Sequence, residues 1–295
     1  MRFATFIHHG VRHVGQVAAD GRTITALAVA AQEAGDGMLS VIEQSARDGK
    51  LPATTGPALA LESVQLVAPI PVPRRNLWCV GRNYHAHAKE LSASVFKNNS
   101  ADPASWPIFF TKVPQTVVGP KDEVVLPGAA ISSQIDYEAE LTIVIGKGGR
   151  NIPRERAMDH VFGYTIVNDV TARDVQMRHQ QWDLGKSFDT FCPMGPWIVT
   201  ADELDGRDTR VRCWVNGNLR QDARTTDLIF DLPSLIETCS RGITLFPGDL
   251  IATGSPAGVG MGMTPPTYLK AGDTVRIAID GLGEIENRFV EAPRG

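Results

Sequence analysis

The sequence predicts a β-rich α+β fold, a rolled or sandwiched β core with a few covering helices. Two observations carry this. From residue 76 onward, short apolar or alternating runs are separated mostly by turns, without the regular interleaving of helices that a doubly wound parallel sheet needs. At 295 residues with 43% hydrophobic and 21% charged residues, the chain can also bury a substantial core.

Residues 1–68 read as a small N-terminal α/β module. "MRFATFIHHGVRHVGQVAADGRTITALA" alternates short strands with a "DG" hairpin signal, and "MLSVIEQSARDG" has helical periodicity with a glycine stop. Prolines crowd residues 69–75, a stiff extended linker. Residues 76–295 form the main domain. Strands are expected in "NLWCVG", "PIFFTK", "EVVLP", "EAELTIVIGK", "VFGYTIVND", "GPWIVT", "RVRCWVNG", "DLIATG", "DTVRIAIDG" and "GEIENRFV". Helices are expected in "YHAHAKEL", "PRERAMDHV", around "TARDVQMRHQQ" and in "DLIFDLPSLIETCSRG". The polar stretch 91–110 reads as an entrance loop or lid.

A formal net charge of -4 leaves no basic footprint, so nucleic acid is not an expected partner. No apolar run approaches the length of a membrane span, and His and Arg break up the first fifteen residues too often for a signal peptide. The four cysteines (Cys79, Cys192, Cys213, Cys239) lack paired spacing, which argues against zinc or disulfides and for reduced thiols. A cytoplasmic protein is expected.

In "DYEAEL", Asp136, Glu138 and Glu140 occupy alternate positions, which on a strand would put all three carboxylates on one face. Such a row is either solvated or holds a cation. The apolar residues that follow favour a buried strand, and the next apolar strand ends in Asn168-Asp169, so an oxygen-rich pocket for a hard divalent cation is one reading. In "GRNYHAHAKEL", His87 and Glu90 are three apart and share a helical face, the pairing expected of a general base, although a surface pair would look the same. His85 lies off that face, and His8, His9 and His13 receive no role. Arg173, Gln176, Arg178 and Lys186 suit an anion or an ordinary polar surface. The glycines of "PGDLIATGSPAGVGMG" do not precede a helix as a nucleotide loop requires, while Thr253 could offer a hydroxyl or N–H to a carboxylate.

In order, "GRNYHAHAKE", "DYEAELTIVIGK", "GYTIVNDVTARD", "GKSFDTFCPMGPW" and "FPGDLIATGSPAGVG" resemble the signature blocks of the fumarylacetoacetate hydrolase family, over residues 74–290. The resemblance implies a mixed β-roll, usually assembled as a homodimer. By position it implies Glu138, Glu140 and Asp169 as ligands of Mg²⁺ or Mn²⁺, with Ca²⁺ an alternative, and leaves Asp136 outside the ligand set. It further implies His87 and Glu90 as a water-activating pair, Lys186 as the stabiliser of a developing oxyanion, and Arg173, Gln176 and Thr253 as substrate contacts.

The substrate so implied is a small 2-oxo or diketo acid. The leading expectation is hydrolysis of an acylpyruvate, such as fumarylpyruvate or maleylpyruvate, to pyruvate and a carboxylic acid. The alternative is an isomerase or decarboxylase of 2-hydroxy-dienedioate or oxaloacetate-like acids on the same scaffold. A distal carboxylate met by Arg178 and His179 would favour a dicarboxylic substrate. A non-catalytic, metal-stabilised protein would have no need of His87, Glu90 and Lys186 together.

Overall fold

A computed structural model describes residues 1–94, 105–178 and 181–292. Residues 95–104 of the expected entrance loop, and His179, lie outside the described residues. The N-terminal segment contributes strands β1 (Arg2–His8), β2 (Val11–Val17) and β3 (Thr23–Leu27), helices α1 (Ala31–Ala34) and α2 (Met38–Asp48), then β4 (Thr54–Ala60) and β5 (Gln65–Val67). A two-residue turn with positive φ at His9 and Gly10 joins β1 to β2, the geometry that matches strand twist.

The remainder opens with β6 (Leu77–Gly81), α3 (His85–Ser94), β7 (Ile108–Lys112), β8 (Val117–Val118), β9 (Val124–Leu126) and β10 (Ile135–Asp136). Next come β11 (Ala139–Ile145), β12 (Val161–Asn168), β13 (Thr171–Ala172), α4 (Arg173–Gln176), α5 (Asp183–Lys186) and β14 (Cys192–Thr200). The chain closes with β15 (Arg210–Val215), β16 (Asn218–Arg224), α6 (Leu232–Ser240), β17 (Leu250–Ala252), β18 (Thr274–Ile279) and β19 (Gly283–Glu291).

The large mixed sheet runs β4-β3-β2-β1-β14-β12-β11-β17-β6-β7, with β5 beside β1 and β8 beside β14. The N-terminal strands therefore continue the sheet of the main domain, through Arg2–Phe3 against Ile198–Val199. A second sheet, β16-β15-β18-β19-β9, packs across the first. Its Val211, Cys213, Ile277, Ile285 and Phe289 share a core with Leu141, Ile143 and Ile145 of β11 and with Leu232, Leu235 and Ile236 of α6. Val144, on the opposite face of β11, joins another cluster with Val167, Cys192, Leu250 and the α2 residues Met38 and Ile42. Apolar packing on both faces explains why this strand is apolar almost throughout. The β-rich mixed fold agrees with the sequence prediction.

Three local expectations change. "DYEAEL" is not one strand: the chain switches partners between Asp136 and Ala139, because β10 pairs with β13 whereas β11 pairs with β12. "PRERAMDHV" forms a 3₁₀ run, Arg154–His160, whose last carbonyl is taken by the N–H groups of Gly146 and Lys147 beyond the end of β11. The segment from Thr171 holds two single helical turns, α4 and α5, rather than one helix. They pack so closely that a Cβ on Gly185 would lie 2.5 Å from the Gln176 nitrogen.

Candidate active site

Antiparallel pairing of β11 with β12 sets Ala139 opposite Asn168 and so brings the residues just outside that pair together. The Asp169 N–H donates to the Glu138 carbonyl (2.9 Å), and the Asn168 side chain accepts from the Glu138 N–H (3.1 Å). Glu140, two residues on, projects to the same side. Oxygens of Glu138, Glu140 and Asp169 lie within 4.8 Å of one another, and all three side chains are buried.

Asp136 does not join them. Its carboxylate accepts the N–H groups of Gly260 (2.7 Å) and Met261 (3.0 Å) and the Arg173 Nε (2.9 Å). The partner switch after Asp136 is the physical reason: it takes this residue out of the alternation that Glu138 and Glu140 keep.

The cations are buried as well. Arg173 bridges Asp136 and Glu138, its second contact being 2.6 Å, and donates to Gln176 Oε1 (3.2 Å). The Lys186 ammonium donates to Glu138 Oε2 (2.7 Å) and Asp169 Oδ2 (2.6 Å). Lys112, which received no role at the end of the expected strand "PIFFTK", is fully buried. Its ammonium lies 2.8 Å from Asp169 Oδ1 and donates to the carbonyls of Val170 and Lys186.

Electrostatics separates the carboxylates. Burial alone would raise Glu138, yet Arg173, Lys186 and His87 together hold its carboxyl well below the ordinary range. Glu140 has no ion pair among the described residues and accepts the Gly254 N–H (2.9 Å). Burial first, then the charges of Asp169 and Glu138, push it well above its ordinary value. Burial opposes the charge of Lys186, but Asp169 and Glu138 outweigh it and raise the ammonium. This donor set of buried, hard, mutually repelling oxygens fits an oxygen-seeking divalent cation, which would relieve the repulsion that Glu140 meets.

On α3, His87 Nδ1 lies 3.0 Å from Glu90 Oε2, which leaves Nε2 as the other ring position. Glu90 also accepts the Gly258 N–H (3.1 Å). His87, Glu138, Glu140, Arg173, Gln176 and Lys186 line one cleft, joined by Arg82, Phe110, Trp182, Ser255 and Met261. Thr253 stands one residue behind that wall: its hydroxyl and N–H both reach the Leu141 carbonyl. Arg178 is exposed and is not among the residues that line the cleft. Arg82 was missed because an Arg beside Gly81 in a loop carries no spacing signal; its side chain is buried and its backbone left-handed (φ 56°).

The glycine-rich loop has a job that its sequence did not reveal. Its main-chain N–H groups serve three carboxylates, from Gly254 to Glu140, Gly258 to Glu90, and Gly260 with Met261 to Asp136. Close approach requires the missing side chains: a Cβ on Gly258 would lie 1.9 Å from the Arg220 carbonyl oxygen.

Residues 76–290 match the family model for the fumarylacetoacetate (FAA) hydrolase C-terminal domain. The chain belongs to the fumarylacetoacetate hydrolase family. Within it, the chain is 49% identical over 231 residues to the oxaloacetate tautomerase YisK of Bacillus subtilis, covering 78% of this chain and 74% of that protein. Its fold matches a fumarylacetoacetate hydrolase from psychrophilic Exiguobacterium antarcticum with a TM-score of 0.85 at 41% identity, over 99% of this chain and 100% of that one. It also matches a maleylpyruvate hydrolase from Sphingobium sp. SYK-6, solved with manganese(II) and pyruvate, with a TM-score of 0.78 at 34% identity, again over 99% and 100%. Among the described residues, no helix is long and apolar enough to cross a membrane.

Proposed function

We propose that this enzyme is a divalent-metal-dependent tautomerase of a small 2-oxo dicarboxylic acid of the oxaloacetate type. It would move a proton between C3 and the oxygen on C2. The observation that carries the reading is the likeness to the tautomerase YisK, together with a cleft lined by His87, itself held by Glu90, and by buried carboxylates and cations.

In this reading Glu138, Glu140 and Asp169 hold Mg²⁺ or Mn²⁺, which when bound supplies Lewis acidity toward the 2-oxo acid. His87, with Nδ1 engaged by Glu90, carries the C3 proton on Nε2. Lys186 offsets negative charge on the substrate oxygen. Gln176, whose Oε1 is occupied by Arg173, turns its amide N–H groups to the substrate. Arg173 acts mainly by bracing Asp136 and Glu138, and Thr253 by aligning the loop that begins at Gly254.

Hydrolysis of an acylpyruvate is the second reading. It is favoured by the same His87–Glu90 pair, which suits water activation, and by the likeness to the maleylpyruvate hydrolase. The experiment follows enol loss from freshly dissolved enol-oxaloacetate with metal-stripped and Mg²⁺- or Mn²⁺-restored protein. In parallel it follows pyruvate release from maleylpyruvate and fumarylpyruvate. Metal-dependent acceleration of enol loss without pyruvate release supports the tautomerase. Pyruvate release with no tautomer acceleration overturns it in favour of the hydrolase.

A further inference from the structure

Lys112 ends β7 with no exposure to solvent; its ammonium donates to the Val170 and Lys186 carbonyls and forms an ion pair with Asp169 Oδ1, 2.8 Å away. A lysine buried only for stability is a poor choice, since an apolar residue avoids the desolvation cost. Here two of the contacts fall on the candidate site, Asp169 and the main chain of Lys186, and the third on Val170 beside Asp169. Asp169 has an ammonium against each oxygen, Lys112 on Oδ1 and Lys186 on Oδ2. The carbonyl that Lys112 grips belongs to Lys186 itself, at the end of the single turn α5.

We propose that Lys112 is a positioning residue whose one ammonium does two things. It fixes the main chain that carries Lys186, and it occupies Asp169 so that the site's hold on a divalent cation stays weak enough to exchange. The inference rests on Glu138, Glu140 and Asp169 being the cation ligands. Its particular content is a pair of effects with opposite signs when the charge is removed.

Lys112→Met keeps the side-chain length but loses both the charge and the donors to the Val170 and Lys186 carbonyls. Calorimetric titration of the metal-stripped protein should show Mn²⁺ binding tightened by about tenfold or more, because a unit positive charge beside a ligand has gone. The rate with saturating metal should fall by about tenfold or more as Lys186 loses its tether. A purely structural lysine would weaken both, and an irrelevant one would move neither, so either result overturns the proposal. Should the variant not fold, the natural protein labelled with ¹³C at the lysine Cε gives the check. On addition of Mg²⁺, two buried ammonium signals, from Lys112 and Lys186, should shift, and a shift in only one overturns the proposal. A natural protein that binds neither Mn²⁺ nor Mg²⁺ would instead sink the ligand assignment itself.

Discussion

Replacing Glu140 by Gln should make the metal-free enzyme more stable while abolishing its response to metal. Glu140 is buried, has no ion pair among the described residues, and has Glu138 and Asp169 oxygens within 4.8 Å. At that separation each like-charge pair costs roughly 3.5 kcal/mol at an effective dielectric constant of about 20. Lys186 offsets part of this, and partial protonation of Glu140 offsets more, so a net gain of about 1–2 kcal/mol is expected for the neutral isostere. The sign with pH follows from the raised carboxyl. The folded state holds this proton more tightly than the unfolded state, so metal-free stability falls as pH climbs above the ordinary carboxylate range. The variant lacks that slope. Thermal melts in EDTA at mildly alkaline pH should place Glu140→Gln about 2–6 °C above the natural protein. Added Mn²⁺ should raise the melting temperature of the natural protein but hardly that of the variant. A variant that melts lower in EDTA, or that keeps the full response to Mn²⁺, would refute the reasoning.

Three further outcomes are expected. Gly262→Ala places a Cβ 2.2 Å from the Glu90 carboxyl, the movable end of a flexible side chain; stability should change little while turnover drops about tenfold as Glu90 leaves His87, and unchanged kinetics would count against the pair. Glu90→Gln keeps the side-chain shape but removes the charge and one of its two acceptors, and kcat should fall roughly tenfold to a hundredfold with the melting temperature held within a few degrees, as read by steady-state kinetics and thermal melts. Arg82→Met removes a buried guanidinium from the cleft wall; KM for oxaloacetate should rise about tenfold or more, while a 2-oxo monocarboxylate is affected far less, and equal effects on both would remove Arg82 from substrate selection.

Much of the fold was legible because it depends on local pattern. The apolar run after Glu140, the turn residues between strands and the helical spacing of His87 and Glu90 each have a short-range cause. Spacing alone offers an oxygen-rich pocket near Glu138 and Asp169 as one reading; the family resemblance, not periodicity, singles out the ligand set and Lys186, Arg173 and Gln176, which do line the cleft. Periodicity alone would group Asp136 with the cluster, since it cannot register a change of partner within two residues; the resemblance leaves it out, and the structure keeps it apart. Lys112 was invisible for a different reason. A lysine at the end of an edge strand reads as a solubilising charge, and only the return of α5 across it, with Asp183 accepting from Thr111, buries it.

The glycine-rich loop ties these points together. A site that is to take a divalent cation would need to keep acidic charge available, yet hold several carboxylates in fixed orientations. Side-chain cations orient Glu138 and Asp169 here, but each also offsets part of their charge. Backbone N–H groups orient Glu140, Glu90 and Asp136 while contributing no net charge, and they carry little conformational entropy of their own. Glycine is what allows a loop to present so many N–H groups to buried carboxylates at such short range. Arg173 and Lys186 meet Glu138, and Lys112 and Lys186 meet Asp169, so among the three clustered carboxylates only Glu140 relies on the backbone alone. That makes Glu140 the carboxylate whose charge most needs a cation, and the one whose neutralisation should most clearly separate stability from function.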